Sequence, residues 1–203
     1  MTASSNWPQR DFLRIHEALR SLLACTGEDI YSSNLKDTPD RFIKAWDFWT
    51  SGYDIKPADI LKTFEHSSST CDTMVFQANI PVWSLCSHHL APIWGLAHVG
   101  YIPTGKVVGL SKLARLVDVY ARRLQIQEQL GCQVADSLME HLGCEGVGVV
   151  LQCRHACMES RGVQKSGTIT ITSALRGSLK DEPECRSEFM SLIQVASQGV
   201  RSV

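Results

Sequence analysis

Residues 73–102 read TMVFQANIPVWSLCSHHLAPIWGLAHVGYI. Two stretches inside this segment, 73–83 and 94–102, are rich in Val, Ile, Trp and Tyr. Branched and aromatic side chains of this kind suit a pleated, half-buried surface, so both read as strands. Between them, Cys86-Ser87-His88-His89 falls in a bend and brings one thiol and two imidazoles together.

Working outward, residues 147–157 and 168–173 are again strand-like. Gly109-Leu110-Ser111-Lys112 interrupts the pattern, and Leu113, Leu116, Val117 and Tyr120 then recur at helical spacing. A second helical segment, 125–142, carries Ile126, Leu130, Val134, Leu138 and Leu142 on one face. Glu184 to Val195 reads as a closing helix with Phe189, Leu192 and Ile193 on one side. Upstream, 8–25 places Phe12, Ile15, Leu19, Leu22 and Leu23 at helical spacing. Thr38-Pro39 reads as an N-cap followed by a proline at the first helical position, opening a helix that Gly52 ends. The order is helices, strands, two helices, strands, helix. It predicts an α+β domain with helices packed on an antiparallel sheet. No repeat or linker interrupts it, and only a short polar N-terminal tail and the last few residues fall outside. The expected division is a helical extension, 1–60, followed by one domain, 61–203.

The chain has 203 residues, 44% hydrophobic and 20% charged, enough for one sizeable core. A formal net charge of -1 gives no global attraction to nucleic acid or to an anionic membrane, so any anion site must be local. No apolar run approaches the roughly 20 residues that cross a bilayer. The N-terminal MTASSNWPQRDFLRIHEALR breaks its apolar positions with charges and lacks a signal-peptide core. The eight cysteines are therefore expected to be reduced thiols in the cytoplasm rather than a disulfide framework.

Chemistry gathers at two of those cysteines. Cys86 and His89 are separated by two residues within a turn, and His155-Ala156-Cys157 answers them far downstream. Thiolate and imidazole are ligands that zinc prefers. Three protein ligands, Cys86, His89 and Cys157, would leave a fourth position for water, as catalytic zinc sites do, with His88 and His155 left to move protons. His155 and Cys157, two apart in a strand, would share a face. The same letters also fit a buried free cysteine beside hydrogen-bonded histidines. Ser111 suits an N-cap, and Lys112 and Arg115 lie three apart on one helical face, so this helix start can cradle a phosphate. A solvated basic stripe explains those residues equally. Arg161, before Gly162, can add a cation near the metal, and Lys165 is a weaker second. Arg41 sits in the first turn of its helix, where the dipole does not favour a base, so it is either a surface residue or an anion ligand. Gln127-Glu128 is an ordinary helical dipeptide, or a carboxylate and its neighbour placed to pair with a guanine edge.

Together these pieces resemble GTP cyclohydrolase I from about Thr38 to Ile193. The resemblance is carried by CSHHLAPIWGLAHVGYIP, GKVVGLSKLARLVDVYARRLQIQEQL and RHACMESRGVQKSGTITITSAL, in that order. It implies the tunnelling fold, a four-stranded antiparallel sheet with two long helices, preceded by N-terminal helices. It implies zinc on Cys86, His89 and Cys157, with catalytic His88 and His155. It implies purine binding by Glu128 and Gln127. It implies triphosphate binding by Arg41, Ser111, Lys112, Arg115 and Arg161. The implied partners are GTP and further copies of the chain, in a decamer with active sites between subunits.

The implied reaction opens the guanine imidazole ring, releases C8 as formate and, after the ribose rearranges, closes 7,8-dihydroneopterin triphosphate. One departure is Ser87, where the family has a glutamate; serine carries no charge at neutral pH. It keeps two alternatives in view: an altered purine substrate or incomplete reaction, and a non-catalytic GTP-binding subunit. Glu159 is a second oddity, and it is expected to face away from Arg161, since an acid in a triphosphate pocket repels its ligand.

Overall fold

The computed structural model describes residues 9–65 and 73–199. The N-terminal tail, Cys71 and residues 200–203 lie outside them. The described residues form two compact units that divide between Thr50 and Ser51. The first holds α1 (Gln9–Ala24) and α2 (Thr38–Trp49), which pack on each other. Thr38 is not the cap of α2: Asp37 is, because the first helical bond runs from the Arg41 N–H to the Asp37 carbonyl.

The second unit opens with a 3-10 turn, Ser51–Asp54, and a single helical turn, α3 (Pro57–Ile60). Strand β1 (Thr63–Glu65) pairs with β4 (Lys106–Val108) in a small ribbon. The main sheet has the order β5-β2-β3-β6-β7. Its long strands are β2 (Val75–Cys86), β3 (Pro92–Ile102), β6 (Gly146–His155) and β7 (Thr170–Gly177), each antiparallel to the next. The short β5 (Leu124–Gln125) runs parallel to the end of β2. Helices α4 (Leu110–Ala121) and α5 (Gln127–Leu142) supply the long pair expected between the second and third long strands. A four-stranded antiparallel sheet with two long helices is thus present.

The two faces of the sheet are covered differently. Val82, Ile93, Ala97, Val99, Val147, Val149 and Leu151 meet Leu113, Leu116, Val117, Leu130, Val134 and Leu138 from α4 and α5 in the main core. Burying one such leucine or valine contributes about 1.5–3 kcal/mol, so this layer dominates the stability of the domain. On the other face, α8 (Pro183–Gly199), reached through the single turn α7 (Ser178–Asp181), packs Phe189 and Ile193 against Ile102 and Val150. Phe189 rests on the cross-strand pair Gly100 and Gly148, where a Cβ would come within 2.9 and 2.8 Å of its ring.

Several boundaries differ from the sequence expectation, each for a physical reason. Cys86 is the last residue of β2 rather than part of the bend, because Cys86 N–H still donates to the Ala91 carbonyl at 2.8 Å. Helix α4 starts from Gly109, not from Ser111: the Lys112 N–H already bonds the Gly109 carbonyl at 2.7 Å. Helix α5 begins at Gln127 because Leu124 and Gln125 are paired with Leu85 and Cys86. Strand β6 stops at His155, opposite Ile93, the residue next to Pro92 at the end of β3. Proline has no N–H for a further ladder bond. Cys157 therefore lies not in a strand but in a one-turn helix, α6 (Ala156–Glu159), and the shared strand face expected for His155 and Cys157 does not exist.

Candidate active site

Cys86 ends a strand, His89 follows in the tight turn, and Cys157 comes from α6 beyond the end of β6. Their ligand atoms all lie within 4.8 Å of one another. The turn is closed by the main chain. Leu90 N–H donates to the Cys86 carbonyl at 2.8 Å, and Ser87 N–H to the Gln125 carbonyl of β5 at 3.0 Å. Leu90 adopts φ 53, a left-handed conformation that costs a leucine roughly 1–2 kcal/mol and reverses the chain sharply here. Cys86 Sγ is 3.8 Å from His89 Nδ1 and 3.9 Å from His88 Nδ1.

The donor set fits a cation. Burial pushes the Cys157 thiol up, the facing Cys86 pushes it further, and Arg161 pulls it partly back. A metal ion held between the two sulfurs would favour the thiolate form that binds it. Cys144 and Cys153 differ: both are buried, burial pushes them up to about 11, and among the described residues neither belongs to a group that could hold a metal. They are packing residues.

His155 closes β6, and its Nε2 lies 2.7 Å from Gln127 Oε1. Burial lowers its pKa, while the charge of Glu128 opposes that shift. Glu128 itself is exposed. Gln127, next to it, is only 2% exposed, and its amide nitrogen reaches the carbonyls of Leu151 and Thr170 and the hydroxyl of Thr172. Arg161 Nη1 stands 3.3 Å from His89 Nε2, which brings this cation to the metal group.

Ser111, Lys112 and Arg115 occupy the first turns of α4, the first and last exposed, and among the described residues no hydrogen bond or ion pair joins them to Cys86, His89 or Cys157. Arg41 belongs to the first unit and donates to Asp37 at 3.3 Å.

Glu159 does turn from Arg161. Its carboxylate takes two hydrogen bonds from Arg154, the first at 2.7 Å, and another from Ser166 at 3.3 Å. Arg154 foremost, with Gly167 N–H and Ser166, holds its carboxyl below the usual range. The Arg154 guanidinium lies 5.2 Å over the ring of its cross-strand partner Trp94. This brace joins both ends of the 156–168 loop to the sheet, and sequence reasoning missed it. The signal was there in the opposite charges five residues apart around Cys157.

Comparison with known proteins agrees with this geometry. The family model for GTP cyclohydrolase I matches residues 15–194. Among curated relatives, GTP cyclohydrolase 1 of Janthinobacterium sp. (strain Marseille) is 52% identical over 176 residues, 87% of this chain and 89% of that protein. GTP cyclohydrolase 1 of Nitrosospira multiformis is 51% identical, over 85% of this chain and 91% of that protein. That of Campylobacter lari is 49% identical, over 91% of this chain and 97% of that protein. The order of the three sequence blocks, the sheet with its two long helices and the Cys-His-Cys group all converge on one conclusion: this chain belongs to the GTP cyclohydrolase I family.

Proposed function

We propose that Cys86, His89 and Cys157 hold zinc and that this site converts GTP and water to 7,8-dihydroneopterin triphosphate and formate. The observation that carries the reading is the meeting of these three donors from two distant segments, with His88 Nδ1 3.9 Å from Cys86 Sγ and His155 two residues before Cys157 in the chain. A zinc ion held there supplies Lewis acidity and can bring the pKa of a water from 15.7 to about 7.

The chain's own residues do the rest. C8 of neutral guanine is a poor electrophile, so a proton must be placed on N7, and His88 is the donor. His155 is the second proton carrier, its pKa lowered by burial against the opposing charge of Glu128. Glu128 accepts from the N–H edge of the purine, which a carboxylate can do at two positions. Ser111, Lys112, Arg115 and Arg161 bind the triphosphate. It does not react, but holding it fixes C8, and positioning of this kind can supply several kcal/mol of the barrier.

The working assembly is a homo-oligomer, a decamer by family likeness, with active sites between copies. The exposure of Ser111, Arg115 and Glu128 supports this reading. No helix among the described residues is long and apolar enough to cross a membrane, and free thiols with a GTP substrate suit the cytoplasm.

The test is GTP turnover by purified, zinc-loaded protein, following formate and the fluorescent pterin obtained after oxidation. Equal amounts of both are expected. Formate-free conversion to a product retaining the formamide would point instead to an incomplete reaction, for which Ser87 is the motive. GTP binding with no conversion by the assembled oligomer would leave a non-catalytic subunit.

A further inference from the structure

We infer that Gln127 is a positioning residue that fixes the tautomer of His155, making Nδ1 the ring nitrogen through which His155 exchanges its proton. The inference rests on the reading above, in which His155 is a proton carrier.

The argument begins with what the carboxamide of Gln127 touches. Its nitrogen lies 3.0 Å from the Thr170 carbonyl and 3.3 Å from the Leu151 carbonyl. A main-chain carbonyl only accepts, so the side of the amide facing both must be the NH2. The reverse orientation would set an amide oxygen against two carbonyl oxygens. The Thr172 hydroxyl at 3.1 Å can donate or accept and decides nothing. The two carbonyls therefore orient the amide through the β6–β7 ladder.

The consequence passes to His155. With the NH2 committed, Oε1 is the atom at 2.7 Å from His155 Nε2. An amide oxygen cannot donate, so Nε2 must carry the hydrogen. The neutral ring then has its lone pair on Nδ1, and the cation has its transferable proton there. Gln127 is 2% exposed, so water does not compete for these bonds. It sits at the first position of α5, and the Gln129 and Leu130 N–H groups bond the Ile126 carbonyl at 3.0 Å, which anchors the start of the helix that presents it.

A direct contact from Gln127 to the purine would require giving up these bonds. The two roles therefore predict different kinetics. A residue that sets the tautomer acts on the proton-transfer step, whereas a purine ligand acts on binding.

Solid-state 15N NMR of zinc-loaded, 15N-histidine-labelled protein reads the tautomer, with the His155 signals identified by their loss in His155→Ala. The wild type is expected to show one neutral His155 species, protonated at Nε2. In Gln127→Met, a population protonated at Nδ1 should appear. Its kcat should fall about tenfold or more, with KM for GTP changed less than about threefold. A wild-type His155 protonated at Nδ1 overturns the inference even if Gln127→Met does not fold. A Gln127→Met spectrum identical to wild type, or a raised KM at unchanged kcat, overturns it too. The spectrum is read whether or not GTP turns over, so its failure is distinct from failure of the cyclohydrolase reading, which absence of GTP turnover by the zinc-loaded wild type would bring about, and from loss of the proton-carrier role, which wild-type turnover by His155→Ala would show.

Discussion

The turn at 86–91 and the loop at 156–168 face each other across the metal group, yet they are held by different parts of the chain. The turn is fastened by backbone. Cys86 N–H bonds Ala91, Leu90 N–H bonds Cys86, and Ser87 N–H bonds Gln125 in the short strand β5. The loop has main-chain bonds of its own, Ser160 N–H to Ala156 and Lys165 N–H to Met158. Its attachment to the sheet, however, is a pair of side chains, Arg154 and Glu159, with Ser166 added. Backbone hydrogen bonds survive most substitutions, since every residue but proline offers the same N–H. Side-chain pairs do not. The turn should therefore tolerate sequence change, and the loop should be where the site is easiest to loosen.

The largest effect expected is from the loop's own ligand. In Cys157→Ala the metal group keeps only Cys86 and His89, and zinc content after dialysis should fall below about a tenth of the wild-type level. Elemental analysis decides it. Full occupancy would show that the third ligand lies elsewhere and would dissolve the comparison between the two segments.

A smaller effect is expected from the brace. Arg154→Ala leaves every ligand in place but frees Glu159, which has one-tenth of its side chain exposed and loses its strongest partner. Zinc should pass to a competing chelator about 10–100-fold faster, in line with other residues that support metal ligands from behind. Exchanging the charges, Arg154→Glu with Glu159→Arg, should recover part of the loss, because the interaction belongs to the pair. Wild-type release by Arg154→Ala would mean that the loop's main-chain bonds suffice and that both segments are backbone-held.

The same contrast explains what could be read from sequence. The core was legible: Leu113, Leu116, Val117, Leu130, Val134 and Leu138 recur at helical spacing, and they are the residues that bury against the sheet. The Cys86, His89 and Cys157 group that could hold a metal was legible because Cys86 and His89 share one short segment, while Cys157 announced itself by the histidine two residues before it. The end of β6 was not. Ala156-Cys157-Met158 has nothing local that forbids a strand, and the limit is set by Pro92 on another strand. The surroundings of Gln127 were hidden for a similar reason. A glutamine beside a glutamate in an amphipathic helix reads as surface, and the carbonyls that enclose it belong to residues 24 and 43 positions away. Local chemistry shows in local sequence; enclosure depends on partners that only the sheet register brings near.

The smallest effect is expected at Ser87, and it sharpens the comparison most. Ser87 is exposed, and the bond it contributes to the turn is its N–H to Gln125 at 3.0 Å. Alanine keeps that bond. Ser87→Ala should therefore leave unfolding stability within about 0.5 kcal/mol of wild type and zinc release within roughly twofold. Ser87→Pro removes the N–H while leaving the side chains of Cys86, His88 and His89 unaltered. It should release zinc faster than Ser87→Ala does. If the two variants release zinc alike, the main-chain tie to β5 does not hold the turn. If Ser87→Ala alone loosens the metal, the hydroxyl matters and the turn is, like the loop, held by its side chains. A tie made by the N–H rather than by the side chain would also leave position 87 free to carry an uncharged serine beside Cys86.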